Sequence, residues 1–132
     1  MTSAESPRRD VRLRTAVIAL AVDLAMIVLF AAMGRASHDE GSAVGGTLLV
    51  AAPFLIGYVV AAAVTRLDRT PLSIARAALT WFPAIVLGML LRRFVFDRGT
   101  AVAFVIVAFV TTGVLIVGWR CLVALIRASR TA

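Results

Sequence analysis

Four apolar runs, each about as long as a bilayer core is thick, leave this chain one kind of architecture. They are Thr15–Met33, Val44–Thr65, Ile74–Leu91 and Ala101–Trp119. A helix rises 1.5 Å per residue, so about 20 apolar residues cross the hydrocarbon region. Lipid offers no hydrogen bonds, and a run of this length satisfies its own backbone only as a helix. The expectation is an all-α, transmembrane four-helix bundle made of two helical hairpins. Residues 1–14 and 127–132 would be tails around a single unit spanning 15–126. Composition agrees, since 61% of the chain is hydrophobic, against about 45–50% in soluble domains.

The charges add a direction. Lys is absent, and all 14 basic residues are Arg, placed at the ends of the runs. With the N-terminus inside, ten arginines fall on the inner side: Arg8, Arg9, Arg12, Arg14, Arg66, Arg69, Arg76, Arg120, Arg127 and Arg130. Four fall outside: Arg35, Arg92, Arg93 and Arg98. Ten against four predicts both termini in the cytoplasm and a location in the cytoplasmic membrane. Arg76, near the start of the third run, is expected to snorkel to the interface. No dense basic tract with interleaved aromatics appears, so the net charge of +7 reads as topology and not as nucleic-acid binding. The first run exceeds the 7–15 residues of a signal-peptide core and is expected to remain as a span. Cys121 is the only cysteine and excludes an intrachain disulfide.

Residues 27–44, IVLFAAMGRASHDEGSAV, echo residues 85–102, IVLGMLLRRFVFDRGTAV. Arg35 aligns with Arg93, Asp39 with Asp97, Gly41 with Gly99 and Ser42 with Thr100; Arg92 stands beside this frame. The echo is either an internal duplication of a hairpin or convergent turn chemistry. In both cases the two glycines are expected to take positive φ. Ser42 and Thr100 are expected to N-cap the following spans, and Asp39 and Asp97 to place negative charge near those helix starts. His38 aligns with Phe96. A zinc site wants three or four converging ligands, which His38 followed directly by Asp39 and Glu40 cannot supply from one short turn, so an exposed loop histidine is the simpler account, and no metal or cofactor is implied.

Asp23 is the exception to the apolar pattern. It lies nine residues past Arg14 and twelve before Arg35, near mid-membrane. An acid there costs about 2.5–3.5 kcal/mol on the insertion scale and belongs in the bundle interior. Ala16, Ala19, Phe30 and Gly34 share its helical face. By depth, Tyr58, Thr80, Thr111 and Thr112 are its candidate hydrogen-bond partners, whereas Arg35, Arg92 and Arg93 sit about half a bilayer away. Asp23 is either a proton or cation site or the polar glue between helices. Pro53 and Pro83 interrupt the second and third runs, freeing the carbonyls of Leu49 and Leu79. The pairs Gly57/Ala61 and Ala84/Gly88 are expected to form close helix contacts. Trp81 is expected at an interface or between helices, and Trp119 as a lipid-facing anchor.

The segments D…FAAMGRASH…G, W…GMLLRR…GTAVAFVIVA and GWR, in that order over residues 11–122, resemble a bacterial family of small four-span membrane proteins of unknown function. That resemblance marks Asp23, Gly34, Arg35, Ser37, His38, Gly88, Arg92, Gly99, Thr100, Trp119 and Arg120 as positions of interest and carries no activity. Small multidrug-resistance exporters share four spans and an acid in the first, but only at the level of fold. Neither a nucleophile–His–acid set nor paired carboxylates are visible, so an enzyme is not expected. Two classes of function stay open. One is a small transporter or proton-linked carrier using Asp23. The other is a non-catalytic assembly or regulatory subunit, its partners being the bilayer and a second copy or another membrane protein.

Overall fold

The computed structural model describes residues 5–36 and 43–132, which form four helices. They are α1 (Glu5–Ala36), α2 (Ala43–Val64), α3 (Ile74–Phe94) and α4 (Val102–Thr131). Each is long and apolar enough to cross a membrane. Each packs on its neighbours in sequence, and α1 closes the ring against α4. The surface is inverted relative to a soluble bundle. Large apolar side chains such as Val17, Ile18, Leu79, Val110 and Val114 face outward, whereas Asp23, Thr80, Thr112 and Arg120 are buried. With lipid as the solvent, this distribution is the stable one. The architecture is that of a four-span membrane protein.

The two inner helices match the expected spans closely, but α1 and α4 run past theirs. Hydropathy marks where lipid ends, not where helix propensity ends. Arg is a good helix former, and Pro7 falls in the first turn, where its missing N–H is harmless. At 32 and 30 residues, the two are about 48 and 45 Å long. Both therefore project beyond the bilayer at the end holding the chain termini.

The connection between α2 and α3 also lies at that end. Arg66 adopts φ 54 and leads into a 3-10 turn, Leu67–Arg69. The Ser73 hydroxyl accepts from the Arg76 amide at 3.2 Å and starts α3. The Arg76 guanidinium reaches the interfacial end of α2, where its NH1 donates to the carbonyls of Thr65 (2.9 Å) and Arg66 (3.2 Å) and caps that helix's C-terminus. The Thr65 and Thr80 hydroxyls meet at 2.6 Å between the same two helices.

The α2–α3 seam is the tightest in the bundle, along the small-residue faces. A Cβ added to Gly57 would stand 2.6 Å from the Ala84 carbonyl and 2.9 Å from the Gly88 nitrogen. Both helices continue through Pro53 and Pro83. At the far end, the rings of Phe30, Phe54 and Phe104 join α1, α2 and α4 with centroids 5.8–6.2 Å apart.

The turn between α3 and α4 departs from expectation twice. The left-handed residue is Asp97, at φ 48, and not Gly99. Asp is one of the few non-glycine types that tolerate this region. Ala101, not Thr100, precedes α4, with no side-chain cap bond. Arg92 supplies the closure instead, donating from Nε to the Gly99 carbonyl at 2.9 Å and stacking over Phe104. Arg93 and Asp97 stand 4.0 Å apart on the exposed side. The matching first turn, with Ser37, His38, Asp39, Gly41 and Ser42, lies outside the described residues. Arg35, at its near edge, rests its guanidinium against Gly46 in α2.

Candidate functional site

Asp23 does point into the bundle. It is 0% exposed, as befits an acid that lipid would expel. Of its face, Ala19 and Phe30 are buried with it, while Gly34 is exposed. Its principal partner is one that depth alone did not suggest. Arg120 of α4, 1% exposed, forms a bidentate pair with it: NH1 to Oδ1 at 2.7 Å and NH2 to Oδ2 at 2.7 Å. This parallel fork is the strong form of an Arg–carboxylate bond.

Two further donors complete the carboxylate. Tyr58 of α2 donates to Oδ2 at 2.5 Å, and the Trp119 indole of α4 donates to Oδ1 at 2.8 Å. A carboxylate offers about four acceptor positions, and here all are taken. Trp119 is therefore not a lipid-facing anchor. Its ring also lies 4.4 Å from the Arg120 guanidinium carbon, a cation–π contact. Arg120 is held in turn by two carbonyls, donating from Nε to Pro71 at 2.8 Å and from NH1 to Ile116 at 2.9 Å. One knot thus ties α1, α2, α4 and the α2–α3 connection.

Of the four uncharged partners expected, only Tyr58 reaches Asp23. Thr80 bonds Thr65 and the Arg76 carbonyl. Thr112 bonds its own helix at Ala108 and accepts from the Trp81 indole at 3.0 Å, which places Trp81 between α3 and α4. Thr111 takes no part in the knot. Hydropathy alone puts Arg120 at the boundary after the fourth span, but α4 carries on eleven residues beyond it. It lies about 27 Å along α4 from Val102, within reach of the bilayer interior. The family resemblance marks the GWR segment without tying it to Asp23; the signal of depth is a Trp–Arg pair followed by renewed apolar sequence, CLVALI.

The sequence profile of a family described as "Protein of unknown function (DUF3054)" matches residues 20–123. The chain belongs to this family. The DUF3054 match contains Asp23, Tyr58, Pro71, Trp119 and Arg120, the whole of the knot. No curated protein and no solved structure matches the chain.

Chemically, the knot holds charge without exposing it. Among the described residues, no group of three or more His, Cys, Asp or Glu could hold a metal ion. Removing one donor tests how the bonds share the load. Tyr58→Phe keeps the ring and deletes the hydroxyl, and should lower bundle stability by about 1–2 kcal/mol. Reversible unfolding of the full chain in micelles, followed by circular dichroism, measures this; no change would mean the bond contributes nothing net.

Proposed function

We infer that this member of DUF3054 is a non-catalytic membrane protein, an assembly or regulatory subunit, in which Asp23 serves as inter-helix glue. One observation carries the reading: each carboxylate oxygen of Asp23 already holds two donors, and acid and arginine are both sealed from solvent. A proton carrier needs its acid to exchange protons with water on each side in turn. Here the Asp23–Arg120 pair would first have to part, breaking its ties to three helices.

The charge balance supports an orientation with both termini in the cytoplasm and a place in the inner membrane. Arg120 belongs to the knot, so nine arginines remain on the terminal side against the four opposite. That bias still obeys the positive-inside rule. The partners are the bilayer and a second copy or another membrane protein, with no nucleic acid and no cofactor.

Proteoliposomes loaded with a pH-sensitive dye test the choice. Under an imposed pH gradient and membrane potential, the wild-type chain should pass protons no faster than empty liposomes. Proton flux that depends on the chain and disappears in Asp23→Asn would overturn the subunit reading and restore the carrier.

A further inference from the structure

A groove runs along the lipid-facing seam between α1 and α2. Its deeper part, about 410 Å³, is walled by Leu13, Val17 and Leu20 of α1 and by Val59 and Ala63 of α2. It continues past Val59 into a shallower stretch of about 480 Å³ between Leu24 and Val28 on one side and Leu55 and Val60 on the other. From Leu13 to Val28 the track is about 22 Å long. One bilayer leaflet has a hydrocarbon depth of about 15 Å, so the track can accommodate one acyl chain.

The groove is polar at one end only. There Asp68 and Pro71 close it, at the level where α1 leaves the membrane. Asp68 is exposed and, among the described residues, has no ion-pair or hydrogen-bond partner. On the other side of Pro71 lies a recess of about 240 Å³ lined by Arg12, Thr15, Thr70 and Ser73. Arg12 is likewise exposed. One apolar track thus ends between an unpaired carboxylate and a guanidinium flanked by hydroxyls, with Pro71 common to both recesses.

We propose that this seam binds a phospholipid bearing a primary ammonium on its phosphate, its chain in the α1–α2 groove, its ammonium on Asp68 and its phosphate at Arg12. A headgroup with a phosphate alone leaves Asp68 facing negative charge. A trimethylated ammonium cannot donate a hydrogen bond to the carboxylate. The wall that separates the two headgroup contacts is also a part of the knot, because the Pro71 carbonyl accepts from Arg120. Lipid occupancy would therefore press directly on the element that positions the buried arginine.

The test uses the purified full chain in detergent with an equimolar mixture of phosphatidylethanolamine, phosphatidylglycerol and phosphatidylcholine of identical acyl chains. Intact-complex mass spectrometry reads which lipid stays bound. Phosphatidylethanolamine should be retained about tenfold over each of the others. Asp68→Asn should bring it down to the level of phosphatidylglycerol, and Arg12→Gln should reduce retention of all three. Ala63→Trp, from an exposed position on the groove wall, should abolish retention. All three sites are exposed, so the helical bundle should persist, as circular dichroism would verify. Equal retention of the three lipids by the wild-type chain, preference for phosphatidylglycerol, or a phosphatidylethanolamine preference that survives Asp68→Asn would each overturn the proposal.

Discussion

Asp23→Asn should cost the bundle about 3–5 kcal/mol, because it leaves the Arg120 guanidinium buried without its counter-charge. The neutral amide can still accept from Tyr58 or Trp119, so the loss reports the ion pair more than the hydrogen bonds. Arg120→Ala should be comparably damaging, since it also frees the carbonyls of Pro71 and Ile116. The informative variant is the double one. With both charges replaced, as in Asp23→Leu/Arg120→Met, no unpaired ion remains, and most of the lost stability should return. Unfolding of the wild type, Asp23→Leu, Arg120→Met and the double variant in one micelle system closes the double-mutant cycle. Additive losses would show that the two side chains act independently and that the pair is not what holds α1 to α4.

Gly57→Leu should be the most damaging substitution outside the knot. Even the first carbon would press into the backbone of α3 at Ala84 and Gly88, and backbone cannot rotate away as a side chain can. Gly88 faces the same constraint from the other side, against the ring and Cα of Phe54. Gly57→Ala alone should therefore cost about 1–3 kcal/mol by overpacking, and the leucine should separate α2 from α3. Gly118→Ala is the matched control. A Cβ there meets nothing within 4 Å, and Ala is the better helix former by about 1 kcal/mol. Crosslinking between cysteines placed on α2 and α3 would read the separation directly; undiminished crosslinking in Gly57→Leu would contradict the close-packing account.

These two contacts differ in how far they could be read in advance. The α2–α3 seam was legible because small residues four apart can mean only a few things in an apolar helix. Gly57 with Ala61 and Ala84 with Gly88 announce close approach whatever the partner. Asp23 was legible as an interior residue for a similar reason: lipid excludes charge strongly enough that one acid fixes which face of α1 turns inward. Its partner was not. Arg120 stands 97 positions away in sequence, and in a chain whose arginines cluster at span ends it read as one more boundary marker. Trp119 was misplaced with it. Counting residues from the last hydrophobic run gives a wrong depth when a helix continues in mixed sequence beyond the bilayer, as both α1 and α4 do. The turn at Asp97 failed for a local reason, since Gly99 is the residue freest to take positive φ, yet the chain closed through Arg92 and left the strain on Asp97.

The sequence by itself determined four helices, their inverted surface, the small-residue packing faces of α2 and α3 and the inward direction of Asp23. Each follows from the cost of placing a polar group, or of separating small residues, in a solvent that forms no hydrogen bonds. Only the tertiary structure decided that Asp23, Tyr58, Trp119, Arg120 and the Pro71 carbonyl meet at one point. Which buried charges neutralise each other depends on helix rotation and relative height in the ring. Those are set by packing across all four helices, a property that no single run carries.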